Sequence, residues 1–163
     1  MKPLSKKEVA KCNLCKQNDA DQKNSHIISK FIGIDMFGEK SSRKGYINRP
    51  ESKPQKVQDL PKEDYLYCKS CECKFNTIET IISKALIKRT KEEFEENYDR
   101  IGTIGIKSTK ASTREILLFF YVNFLRLHHS NLEGFQEFKL DENNYEAIKQ
   151  TIWDCLSLSL IHI

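Results

Sequence analysis

Two Cys-x-x-Cys pairs, Cys12 with Cys15 and Cys68 with Cys71, stand far apart in this chain and constrain it more than any other feature. Four thiolates complete a tetrahedral shell around one zinc ion, and a metal joining such distant segments replaces core that a short polar stretch cannot build. The same positions could hold disulfides or small buried thiols. Met1 to Lys11 is polar and basic with no apolar run behind it, so no secretory leader is read and a cytoplasmic location is expected. Thiols stay reduced there, which favours a shared structural Zn2+ over disulfides. Cys73 could exchange with Cys71 as a ligand, although the x-x spacing favours Cys71, and Cys155 reads as a core or tail thiol.

The overall charge of +4 hides an asymmetry. Met1 to Lys62 holds 14 Lys and Arg against 7 Asp and Glu, whereas Glu63 to Ile163 holds 13 against 16. Lys30, Arg43, Lys44, Arg49, Lys53 and Lys56 all fall in the basic part and could neutralise phosphates, the sequence-independent share of nucleic-acid binding. A solvated loop accounts for them equally well. The apolar stretch Ile116 to Leu125 is bounded by Arg114, Glu115 and Arg126 and is about half the length that spans a bilayer. It is expected to be a buried helix, with no membrane partner.

Along the chain, His26 to Ile28 reads as a short strand, and Ser29 as the cap of a helix through Phe31, Ile32, Ile34 and Phe37 that Gly38 ends. Glu39 to Lys62 turns to Lys, Ser, Pro, Gln and Gly, which predicts an irregular excursion with one strand near Val57. A strand over Tyr65 to Tyr67 should lead into Cys68. Phe75, Ile78, Ile81, Ile82 and Leu86 recur at helical intervals directly after the second pair. Lys91 to Tyr98 is expected to be an acidic helix, Gly102 and Gly105 to mark a loop, and Thr113 to His129 to be a helix covered on nearly all sides. Tyr145, Ile148, Ile152 and Leu156 mark a last amphipathic helix.

The motifs Cys12-x-x-Cys15, Ser25-His26-Ile27-Ile28-x-Lys30-Phe31 and Tyr65-Leu66-Tyr67-Cys68-x-x-Cys71-Glu72, in this order, resemble a bacterial subgroup of the HNH endonucleases. That subgroup carries a Ser-His-Ile-Ile-Pro-Lys-Phe signature and Cys-x-x-Cys-Glu at the second pair; Ser29 stands in place of the proline. The resemblance covers Cys12 to about Leu86. It implies an α+β protein in which residues 1–90 form a small zinc-stapled treble-clef ββα-metal domain, followed by a helical region over residues 91–157.

It further implies metal-dependent hydrolysis of phosphodiester bonds, in DNA rather than RNA, in phage defence or a mobile element. His26 would be the general base, and Glu72 an oxygen ligand to catalytic Mg2+ or Mn2+. Departures from the pattern are visible. Ser25 stands where many relatives have a carboxylate, and the middle Asn of the motif has no clean counterpart, with Asn24, Glu63 and Asp64 as the nearby candidates. Glu72 could instead cap its helix, and His26 could be a satisfied core residue or a zinc ligand. The alternative function is therefore a catalytically inactive zinc module that binds nucleic acid, or a protein through its helical region. His128 and His129 are expected to satisfy a helix end or an interface. Residues 158–163, Leu-Ser-Leu-Ile-His-Ile, are what a transposon end used in sequencing-library adapters encodes in one frame, so the native frame is expected to end near Leu156 or Ser157.

Overall fold

Strand pairing in this chain is short and the helices carry most of the packing. The computed structural model describes residues 10–37, 45–47, 53–86, 98–101, 105–108 and 111–157. Its elements in chain order are β1 (Ser25–His26), α1 (Lys30–Phe37), β2 (Gly45–Ile47), β3 (Gln55–Val57), β4 (Lys62–Glu63), α2 (Lys69–Leu86), β5 (Tyr98–Ile101), β6 (Gly105–Ser108), α3 (Thr113–His129) and α4 (Glu142–Ser157). The fold is α+β. Antiparallel pairs form between β1 and β4, β2 and β3, and β5 and β6.

The β1–β4 pair closes a long excursion. Ser25 lies opposite Glu63 and His26 opposite Lys62, and Ile27 N donates to Pro61 O at 3.0 Å just beyond the strands. Within the excursion, the strand expected near Val57 is β3, paired with β2 so that Tyr46 faces Lys56. Its return toward β4 packs on α1 at Gly33. A Cβ there would lie 2.6 Å from Leu60 Cγ, so this approach depends on the missing side chain.

Helix α2 buries Cys71, Phe75, Ile78, Ile82 and Ala85, a stripe at intervals of three and four residues. Helix α3 starts in a capping box. Glu115 N donates to Ser112 Oγ at 3.2 Å, and Ser112 N donates to the Glu115 carboxylate at 2.7 Å. Lys139 Nζ donates to the carbonyls of His128 and Ser130 at the other end, where a cation suits the helix dipole. Helix α3 packs on α2 and on α4. One core therefore runs from Cys12 and Leu14 through Ile27, Tyr67 and Phe75 to Val122, Leu125 and Ile152. Phe31 tilts against Phe119 with centroids 5.4 Å apart, and Tyr67 meets Phe75 edge-on at 5.0 Å.

Several local expectations differ from the structure. The first strand is Ser25–His26 and not His26–Ile28. Tyr65–Tyr67 is not a strand, because Tyr65 adopts a left-handed φ of 64° that takes the chain out of the sheet; the strand sits earlier, at Lys62–Glu63. Gly105 opens β6 instead of lying in a loop. Of the acidic helix expected over Lys91 to Tyr98, only Tyr98 is described, and it opens β5; Gly38 and residues 158–163 lie outside the described residues. Helix α3 is not covered all round, since Leu117, Phe120 and Phe124 are exposed on the side away from its neighbours. Among the described residues no helix is long and apolar enough to cross a membrane.

Candidate metal centre and adjoining polar cavity

The two Cys-x-x-Cys pairs meet. The sulfurs of Cys12, Cys15, Cys68 and Cys71 all lie within 4.8 Å of one another, with Cys15 and Cys68 3.9 Å apart. A tetrahedral ion with Zn–S bonds of about 2.3 Å sets its sulfurs about 3.8 Å apart, so this donor set fits zinc. The first pair sits on a tight turn in which Cys12 N donates to Asn18 O at 2.8 Å and Lys16, at φ 56°, donates its N–H to Cys12 O at 3.0 Å. The second pair opens α2. Asn13 ties the two together, giving both its backbone N–H and its side-chain Nδ2 to Leu66 O at 3.1 and 3.0 Å.

Asn18 Nδ2 lies 3.7 Å from Cys68 Sγ and donates toward it. The hydrogen bond between Cys12 and Cys71 pulls the Cys12 thiol pKa down and pushes that of Cys71 up. Sulfurs this close cannot all ionise unless a cation shares their charge. Cys73 is exposed and outside the group. Cys155 is buried and accepts from Arg114 Nη2 at 3.1 Å. Among the described residues no other cluster of three or more His, Cys, Asp or Glu side chains comes close enough to hold an ion.

A polar cavity of about 120 Å³ is lined by Ser25 and His26 of β1 and by Gln22 and Asn24 before it. Its other walls are Glu72, Asn76 and Glu79 of α2 and Arg126 of α3. This is space for several waters or a small polar group. His26 Nε2 is buried and lies 3.4 Å from Asp59 Oδ1, a contact that falls short of a full hydrogen bond. Asp59 is held in turn by Lys62 Nζ at 2.7 Å, and this contact takes its carboxyl down to about 2. Burial lowers the His26 pKa; Asp59 opposes that shift, while Lys62 and Lys30 reinforce it. The imidazole is thus neutral at neutral pH.

Glu72 lies in the first turn of α2 and is buried. Its carboxylate turns to α3 and not to the helix N–H groups: Arg126 Nη2 donates to Oε1 at 2.9 Å, and Oε2 has no partner. Burial raises the Glu72 pKa, and Arg126 opposes the rise. Arg126, 1% exposed, also ion-pairs with Glu79 Oε1 through Nη1. Ser29 does not cap α1. It is fully buried and its hydroxyl donates to Glu79 Oε1 at 2.8 Å, with Asn123 Oδ1 3.1 Å away. Four buried polar atoms around this one cavity have no hydrogen-bond partner: Ser25 Oγ, His26 Nε2, Glu72 Oε2 and Arg126 Nε. Buried polar atoms are nearly always paired, so a cluster of orphans marks a place for ordered water or a polar ligand.

No family model, curated protein or solved structure matches this chain.

The structure thus brings His26 and Glu72 to one cavity and the four cysteines to one centre. Asn76 and Glu79 were missed, although with Glu72 they recur at i, i+4 and i+7 beside the apolar stripe of α2. Arg126, set between Leu125 and Leu127, and Asp59, within the excursion, gave no periodic signal. Of the middle-Asn candidates, Asp64 accepts from Asn24 N at 2.7 Å, and Glu63 accepts from Ser130 Oγ at 2.8 Å; Asp59 is the carboxylate that reaches His26. Lys30, Lys53 and Lys56 are exposed, while Arg43, Lys44 and Arg49 lie outside the described residues. His129 bridges Tyr67 and Tyr145, with ring nitrogens 2.9 and 3.3 Å from their hydroxyls, and His128 Nδ1 accepts from Leu140 N at 3.0 Å. Neither lines the cavity.

Proposed function

We propose that the chain is an HNH-like endonuclease on a zinc-stapled treble-clef ββα-metal scaffold, hydrolysing phosphodiester bonds in DNA as part of phage defence or a mobile element. The observation that carries this reading is the cavity itself. His26, its pKa lowered by burial, and Glu72, with one carboxylate oxygen outside any hydrogen bond, both line the same polar space beside the cysteine centre. His26 takes a proton from water as the water oxygen bonds to phosphorus; the phosphorus–oxygen bond to the leaving sugar breaks, and that oxygen gains a proton from solvent. Asp59 and Lys62 set the orientation of the ring. Glu72 Oε2 is the ligand atom available to Mg2+ or Mn2+, which would supply charge stabilisation at the phosphate. Lys30, Lys53 and Lys56 are exposed and, with Arg43, Lys44 and Arg49 of the same basic stretch of sequence, would neutralise backbone phosphates.

Incubating supercoiled plasmid with purified protein and Mg2+ or Mn2+ tests the proposal. Metal-dependent nicking that His26→Ala abolishes is the expected result; absence of nicking under both metals contradicts it. The second reading, an inactive zinc module that binds nucleic acid or a protein, is favoured by Arg126. Its guanidinium already compensates the charge of Glu72 and Glu79, leaving less for a divalent ion to neutralise. Salt-sensitive DNA binding without nicking would select that reading.

A further inference from the structure

One backbone hydrogen bond from the cavity wall is a residue whose backbone and side chain both break local rules. Tyr65 has a φ of 64°, a left-handed conformation rare for a bulky residue and one that costs stability, yet the residue is 45% exposed and is not part of the core. The neighbouring chain makes the same excursion, with Asn24 at φ 55°. These two left-handed residues flank the β1–β4 pair, and Tyr65 N donates to Gln22 O at 2.7 Å. Gln22 and Asn24 line the cavity, so Tyr65 is tied through its backbone to a residue of the cavity wall. Lys23, between them, places its ammonium 5.6 Å from the ring centroid at a solvent-exposed site.

We propose that Tyr65 is a stacking platform for an unpaired nucleobase, with Lys23 as the adjoining phosphate contact, so that the strand entering the cavity is single-stranded or has a base turned out of its duplex. This deepens the reading of the cavity as a phosphodiester site and rests on it. An exposed aromatic face stacks on any base and needs no sequence, whereas a base inside a duplex offers no free face. The ammonium is exposed and can move from ring to phosphate at little cost. The strain has a reason on this account, since it turns the ring outward where a relaxed strand would have continued the sheet.

The test uses the full chain in EDTA-free, magnesium-free buffer at low salt, so that binding is read without cleavage. The probes are fluorescein-labelled oligo(dT) and a mixed-sequence duplex of equal length. Wild type should bind the single strand more tightly than the duplex. Tyr65→Gly should weaken single-strand binding about tenfold while leaving duplex binding within about twofold. Tyr65→Trp should retain single-strand affinity. Because glycine accepts this φ without strain, Tyr65→Gly should melt no lower than wild type, which separates loss of the platform from loss of the fold. Equal affinity of wild type and Tyr65→Gly for oligo(dT), or a wild-type preference for duplex, overturns the proposal. The two readings fail separately: plasmid nicking that survives with Tyr65→Gly behaving as wild type refutes the platform alone. Tyr65-dependent single-strand binding without nicking refutes the nuclease alone.

Discussion

Arg126 joins three parts of the chain through one guanidinium, pairing with Glu72 at the first turn of α2 and with Glu79 two turns later, where the Ser29 hydroxyl also binds. Removing one partner from such a buried group leaves charge uncompensated and typically costs about 3–5 kcal/mol, more than the pair itself contributes. Arg126→Met should lower the unfolding free energy measured in urea by that order. Adding Glu72→Gln and Glu79→Gln should restore much of the loss; a triple variant no more stable than the single one would contradict the pairing. At His26 the prediction concerns pH. Its folded pKa lies below the ordinary 6.5, so the base form is complete at neutral pH and is lost only as pH falls through that lower value. The nicking rate should be flat around neutrality with an acid limb below 6.5, and His26→Ala should lower it by about two to four orders of magnitude. An acid limb above 6.5 would assign the proton to another group.

Among the elements, the helices were legible in the sequence because apolar residues at intervals of three and four leave little choice; α2, α3 and α4 all appear where that pattern puts them. The strands were less so. β1 and β4 hold two residues each and owe their existence to each other, so neither carries a period of its own. The β5–β6 pair falls almost entirely where Gly102 and Gly105 suggest a loop, since glycines in a sequence do not say what flanks them. At the junction of α3, α4 and the second cysteine pair, burial takes His129 down to about 3 between two tyrosine hydroxyls. The unfolded chain binds this proton near pH 6.5, so the stability it contributes is complete above 6.5 and is lost as pH falls from there toward 3, on the order of a few kcal/mol. Unfolding free energies measured across that range should slope upward with pH, less steeply in His129→Gln. An equal slope in the variant would remove the assignment. The capping box is a smaller contribution: Ser112→Ala should cost about 1 kcal/mol in the same measurement.

At the scale of the molecule, one continuous core links the cysteine centre to the last helix. What the sequence revealed of the site follows from this. Spacing exposed the cysteines, because a metal shell is a local requirement repeated twice, and the run from Ser25 to Phe31 pointed to His26. The rest of the cavity comes from tertiary packing: Arg126 enters from α3, and Asp59 from the excursion's return, positions that no single segment encodes. The account rests on one ion clamping Cys12, Cys15, Cys68 and Cys71 so that β1 and the first turn of α2 present His26 and Glu72 to the same space. The most direct measurement is the zinc content of reduced, folded protein by elemental analysis. One zinc per chain, lost in Cys68→Ser, is the predicted result; a folded protein holding no stoichiometric transition metal would contradict it.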